Sequence, residues 1–293
     1  MRRPFRQIDV FTDEPYRGNP VAVVHEAEGI DDEALRRFAR WTNLSETTFL
    51  LPPTTDDADY RVRIFTPSVE LPFAGHPTLG TCHAWLEAGG VPRDPALVIQ
   101  ECAAGLIRIR RDTVNRRVAD GRVADRRPGN GRLAFAEPPL IRGGPVDDVT
   151  LDHVADVLRI SRSAIVDAQW ADNGPGWIAV LLGSAAEVLA IEPGFIDLDL
   201  GVVGPHPAGS PTAFEVRAFF PLNGATVEDP VTGSLNASVA GWLLRSGRAT
   251  APYVASQGTA LGRAGRVEVS RDGDGTIWIG GGTVTCIVGE VDV

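Results

Sequence analysis

Two stretches of the chain put a glycine and a polar residue where a helix should begin, Gly75-His76 and Gly233-Ser234. The first N–H groups of a helix have no partner inside it and lie at the positive end of its dipole, so each start can hold a carboxylate. Two such starts facing one cleft would form a site for a small anionic substrate. Ordinary helix capping is the alternative, which Ser234 suits well and His76 poorly. Glu46 ends a polar loop directly before the apolar, β-branched residues 47–51, so it can project from a rigid strand into a cleft. Asn43-x-x-Glu46 also fits a capping box, although Thr47 and Thr48 favour strand. An exposed carboxylate, with a pKa of about 4.3, is a poor base toward carbon; burial toward roughly 6 to 7 makes it a usable one.

Several chemistries are excluded. The chain has no lysine, so all 28 of its basic residues are arginine. Without lysine there is no Schiff base to pyridoxal phosphate, no amine-type aldolase intermediate and no Walker-type phosphate loop. Ser234 lacks the GxSxG elbow of a hydrolase nucleophile. Gly280-Gly281-Gly282 is followed by the mostly β-branched residues 283–288, so no helix start would receive a dinucleotide pyrophosphate. His25, His83, His153 and His206 show no metal-site spacing and read as structural or surface residues. Cys82, Cys102 and Cys286 are widely spaced and odd in number, which predicts buried free thiols in a reducing compartment. A net charge of −10 argues against nucleic acid as a partner. No run approaches the ~20 apolar residues of a membrane span, and MRRPFRQIDV lacks the apolar core of a signal peptide. The expectation is a cytoplasmic protein with no membrane partner.

The elements that must position these groups follow from periodicity. Residues 5–11 and 21–24 read as a hairpin, and Ala34, Leu35, Phe38 and Trp41 mark an amphipathic helix ending near Asn43. Strands are predicted at 47–51, 60–65 and 132–135, and over 97–109 with a bend at Ala104-Gly105; a helix is predicted at 76–88. The Arg-rich stretch 113–131 reads as a mobile surface loop of solvated charge and is given no role. Pro and Gly between 138 and 150 suggest a linker. The domains are therefore placed at 1–138, open to completion by the C-terminal strand, and 139–293. An internal echo accompanies them. Tyr60, Val62, Arg63, Phe65 and Pro67 match Phe214, Val216, Arg217, Phe219 and Pro221 at an offset of 154, and Pro72, Gly75, Leu86 and Gly89 match Pro230, Gly233, Leu244 and Gly247 at 158. Chance is the alternative, since Gly and Pro are common here; duplication of one strand-loop-helix unit is the reading adopted.

Gly18-Asn19-Pro20, Asn43-Leu-Ser-Glu46-Thr, Phe65-Thr-Pro67, Gly75-His76-Pro77 and Glu228-Asp229-Pro230-Val-Thr-Gly233-Ser234 occur in this order. With them the chain resembles the PhzF-like phenazine-biosynthesis isomerase family over nearly its whole length. The resemblance implies an α/β (α+β) fold like that of diaminopimelate epimerase: two similar domains, each a curved, mostly antiparallel sheet around a central helix, with the active site between them. It implies a homodimer, no cofactor, no metal, and proton transfer between carbons of a small carboxylate substrate. It makes Glu46 the proton shuttle, His76 and Asp229 its polar partners, and Ser234 with the Gly75 and Gly233 backbones the carboxylate holders; Asn19 is placed in the same cleft. A core histidine at 76 and a turn-forming aspartate at 229 are the plainer readings of those two residues. Relatives that racemise amino acids with two thiols carry Cys before each helix-start Gly, where this chain has Ala74 and Thr232. An epimerase of an amino-acid-like centre working without two thiols, and a non-catalytic carboxylate-binding protein, are the alternatives in function.

Overall fold

A computed structural model of the chain describes residues 1–111 and 132–293. The Arg-rich stretch 113–131 lies outside the described residues. Contacts divide the chain into two units, Met1–Ala136 with Gly280–Val293, and Glu137–Ile279.

In the first unit β1 (Arg2–Val10) and β2 (Asn19–Val24) form the antiparallel hairpin, and the C-terminal strand Thr283–Asp292 pairs antiparallel along the other side of β1. Helix α1 (Asp32–Thr42) carries the chain to β3 (Glu46–Leu51), which lies parallel to β2. Asp31 caps α1 by accepting the Ala34 N–H at 2.8 Å, and Asn43 ends it in the left-handed region at φ 53°. The capping-box reading of Asn43 and Glu46 therefore fails: Asn43 closes one helix and Glu46 opens a strand. Leu35 and Ala39 of α1 bury against Phe49 and Phe65. Strand β4 (Tyr60–Phe65) runs antiparallel to β3 and to the short β5 (Glu70–Leu71), burying Tyr60, Val62 and Ile64 while Arg61 and Arg63 stay half-buried. Helix α2 (Gly75–Glu87) follows, then β6 (Leu97–Cys102), parallel to β4, and antiparallel β7 (Gly105–Arg111) and β8 (Leu133–Ala136).

Helix α2 is buried on nearly every side and touches β1, β2, β3, β6 and β8. Such a helix has no polar face to keep wet, which is why its sequence shows so little amphipathicity. Gly80 lets it approach the hairpin, because a Cβ there would come within 2.3 Å of Val21.

The second unit repeats the arrangement. Strand β9 (Arg142–Pro145), within the Pro- and Gly-rich stretch, pairs with β10 (Ile165–Asp172) after helix α3 (Asp148–Leu158). Then come β11 (Ile178–Leu182), the short helix α4 (Ala185–Leu189), β12 (Leu200–Pro205), β13 (Phe214–Leu222) and β14 (Ala225–Asp229). Buried helix α5 (Gly233–Arg245), β15 (Tyr253–Gln257) and β16 (Gly265–Arg271) complete the copy. Pairing from β10 onward runs antiparallel, parallel, antiparallel, parallel, antiparallel, the same sequence as from β1 through β2, β3, β4, β6 and β7. The fold is α+β: two similar, mostly antiparallel units, each built on one buried helix. The echo holds at the level of single registers, with Thr47 opposite Phe65 and Leu200 opposite Phe219. Arg63 forks onto Glu70 at 2.7 Å, and Arg217 onto Glu228 at 2.7 and 3.0 Å.

All three cysteines are free. Cys82 and Cys102 are buried, whereas Cys286 is only half-buried, because its strand lies along the side of β1 away from the hairpin. Among the described residues no helix is long and apolar enough to cross a membrane.

Candidate active site

The first unit gathers Asn19, Glu46, Gly75 and His76. Glu46 opens β3, whose register sets it beside Val21 of β2, and Gly75 and His76 open α2. The His76 Nε2 lies 3.2 Å from the Glu46 Oε2, close but not in line for a hydrogen bond, and the amide nitrogen of buried Asn19 lies 3.4 Å from His76 Nδ1. Only 5% of the His76 side chain and 15% of the Glu46 side chain is exposed. Burial drives the His76 pKa down to about 3 against the opposing pull of a hydrogen bond to the Pro20 carbonyl, so the ring is neutral at pH 7. Neutral imidazole beside a carboxyl group can pass or share a proton without a second charge having to be buried.

Gly18 is required where the turn meets β1, since a Cβ would stand 2.0 Å from the Val10 carbonyl oxygen. Neither N-cap side chain, Ala74 or Thr232, accepts from the N–H groups of its helix.

The second unit gathers Asp229, Gly233 and Ser234. Buried Asp229 ends β14 and accepts 2.6 Å from the Thr232 hydroxyl. Gln257 locks that corner, accepting from the Thr232 N–H at 3.0 Å and donating to the Thr232 hydroxyl at 2.9 Å. Ser234 does not cap the helix. Its hydroxyl accepts from the Trp177 indole N–H at 3.1 Å, and its carbonyl from the Asn173 amide at 2.9 Å.

The sequence reading missed Gln257, Trp177, Asn173 and Thr232. Gln257 carried a faint signal, because Gln100 of the first unit occupies the matching strand and donates to Thr78 at 2.9 Å. Asp199 was missed as well. It directly precedes Leu200, as Glu46 precedes Thr47, and burial together with the charge of Asp172 pushes its pKa up to about 6.

A family model described as phenazine biosynthesis-like protein matches residues 8–289. The chain belongs to that family. Among its relatives, Antisense-enhancing sequence 1 of Schizosaccharomyces pombe is 36% identical over 301 residues, covering 98% of this chain and 97% of the relative. Trans-2,3-dihydro-3-hydroxyanthranilate isomerase of Pseudomonas aeruginosa is 32% identical over 283 residues, covering 92% and 90%. The crystal structure of the Bacillus anthracis phenazine biosynthesis protein, PhzF family, superposes with a TM-score of 0.80 at 21% identity over all of both chains. That likeness speaks for the fold, which the PhzF family shares with proteins of the proline racemase and diaminopimelate epimerase type.

Within this family member the other histidines are engaged elsewhere. His83 lies between Thr283 and Thr285, His25 contacts Arg6, His153 pairs with Asp197, and His206 meets Glu215 and Ser256. Among the described residues no three His, Cys, Asp or Glu side chains form a metal-binding group. The buried Cys82 thiol, inside α2 rather than before it, is pushed up to about 12 by desolvation and is inert packing.

Proposed function

We propose that the protein is a cofactor-independent isomerase that moves a proton between carbons of a small carboxylate, with Glu46 as general acid and base. The observation that carries this reading is the contact between Glu46 and a buried, neutral His76 at the start of α2. In the proposed cycle Glu46 removes a proton from a carbon activated by conjugation and returns it to another carbon on the same face. His76 and Asp229 hold or relay protons, while Asn19, Ser234 and the N–H groups at Gly75 and Gly233 bind the substrate's carboxylate and the charge that develops. The relative named for isomerisation of trans-2,3-dihydro-3-hydroxyanthranilate supports a small cyclic amino-carboxylate as the first compound to try. Two-thiol epimerisation is unavailable, since Ala74 and Thr232 stand before the helix-start glycines. The same reading makes the enzyme a cytoplasmic homodimer.

Incubating small cyclic and amino carboxylates with the protein in heavy water, followed by mass spectrometry, tests the proposal. Deuterium should enter one C–H position with wild type and not with Glu46→Gln. Incorporation that persists in the variant removes Glu46 from the chemistry, and ligand-dependent thermal stabilisation without any incorporation leaves a binding protein.

A further inference from the structure

Asp9 lies near the end of β1, 1% exposed, opposite Pro20 of β2 and next to the residue that pairs with Asn19. A buried carboxylate needs a structural reason, because desolvation is costly unless hydrogen bonds compensate it. Its Oδ2 accepts two backbone N–H groups, from Arg17 at 2.8 Å and from Gly18 at 3.0 Å. Those amides end the β1–β2 turn immediately before Asn19 and Pro20, and both of these residues touch the His76 ring, Asn19 at Nδ1 and Pro20 through its carbonyl. The turn is also pinned from the other side, where Gly18 packs on the Val10 carbonyl with no room for a Cβ. The chain of contact is short and wholly within the first unit: carboxylate, two amides, two consecutive residues, imidazole.

We propose that Asp9 is a positioning residue for His76: through the Arg17–Gly18 amides it fixes the Asn19-Pro20 segment, which holds the imidazole in one orientation and one tautomer against Glu46. The inference rests on the reading of Glu46 and His76 as the proton-handling pair, but its test does not. A neutral ring whose two nitrogens face different partners changes tautomer when those partners shift, and a shift of about 1 Å at a reacting group can cost on the order of a hundredfold in rate.

The experiment is long-range proton–nitrogen NMR of the histidine-labelled full chain from pH 8 to 5, on wild type, Asp9→Asn and Asp9→Ala. Wild-type His76 should show one tautomer with no titration in that range. Asp9→Ala should show a mixture of tautomers and a titration moving up toward 6.5, while Asp9→Asn, which keeps an acceptor but loses the charge that roughly doubles such bonds, should lie between them. An Asn variant whose His76 signals coincide with wild type overturns the proposal, and this holds even if the Ala variant does not fold. Two tautomers in wild type overturn it as well. Failure of Glu46→Gln to stop deuterium incorporation would sink the isomerase reading and leave these spectra unaffected. With a substrate in hand, kcat should fall roughly tenfold to a hundredfold in Asp9→Ala with KM within about twofold; a change in KM alone contradicts a positioning role.

Discussion

At the start of α2 the second helical residue is His76, met by the Asn19 amide; at the start of α5 the residue 158 positions later is Ser234, met by the Trp177 indole. Glu46 opens the strand opposite Phe65 and lies against a histidine. Asp199 precedes the residue opposite Phe219 and has another carboxylate, Asp172, as its charged neighbour. One scaffold has therefore been given a titratable acid–imidazole pair in one copy and neutral donors and acceptors around a serine in the other. On the function proposed above, Glu46 of the first unit shuttles the proton and Ser234 of the second helps to hold the substrate's charge.

The sharpest way to break that division is kinetic. Glu46→Gln should lower kcat by about 10²–10⁴-fold, the usual contribution of a positioned general base, with little change in KM. Ser234→Ala should instead raise KM by about tenfold to a hundredfold, as expected for one hydrogen bond to a charged group, and leave kcat within a few-fold. Steady-state rates of deuterium incorporation give both constants. If the two variants share one profile, the units do not divide the work.

A second difference concerns stability. The fork pair of the second unit is buried, with Arg217 and Glu228 at 7% and 11% exposure, and Arg217 also donates to the Val188 and Ile191 carbonyls at the end of α4. Its counterpart Arg63 is 26% exposed and shares its charge between Glu70 and exposed Asp32. Removing one partner of a buried pair leaves an uncompensated charge, so Arg217→Ala should cost about 3–5 kcal/mol in urea unfolding, whereas Arg63→Ala should cost about 1 kcal/mol. Equal costs would show that the half-buried pair matters as much as the buried one.

This contrast also marks how far the sequence could be read. Strands with clean alternation, such as β4, and helices ended by a glycine or a left-handed asparagine, such as α1, are local patterns and were legible. So was the echo, because Arg63 and Phe65 recur as Arg217 and Phe219 at one offset. Glu46, His76, Asp229 and Ser234 became candidates through motifs and the two helix starts. Trp177, Asn173 and Asp9 did not, because their roles depend on hairpin turns whose direction no local pattern sets. Capping stayed open as the alternative for Ser234 for the same reason: the indole that engages it lies 57 residues upstream.

Acid should separate the two units by sign. Burial holds His76 at about 3 and His25 at about 4, where Arg6 adds to the effect, against 6.5 for the unfolded chain. As pH falls below 6.5 the unfolded chain binds protons that the folded one refuses, so the first unit loses about 1.4 kcal/mol per pH unit for each histidine. Glu87 extends that loss from 4.5 toward about 2, since its bonds from His83 and Thr285 outweigh its burial. Asp199 acts oppositely. Its folded pKa of about 6 against 3.8 means that stability is present below 3.8 and lost as pH rises through 6, so the second unit gains as pH falls across that window. Hydrogen exchange followed peptide by peptide at pH 7.5, 6 and 5, corrected for intrinsic rates, should show protection falling first in residues 1–111, and Asp199→Asn should cancel the gain in the second unit. Parallel loss in both units contradicts this.

The finest test concerns the Trp177–Ser234 bond. Trp177→Phe keeps most of the buried aromatic surface and removes the indole N–H, so the Ser234 hydroxyl loses a donor without losing its neighbours. A single neutral hydrogen bond of this kind is worth about 1 kcal/mol. If the indole serves only packing, Trp177→Phe and Ser234→Ala should add in unfolding free energy and in KM alike. If it aims the hydroxyl at a substrate carboxylate, the two should be non-additive in KM, with a coupling of about 0.5–1 kcal/mol, and the double variant should be little worse than Ser234→Ala alone. The second result is expected, because the β10–β11 turn supplies two bonds to one residue at the start of α5, the Trp177 indole to its hydroxyl and the Asn173 amide to its carbonyl, and this double grip orients a side chain that its own helix does not use as a cap.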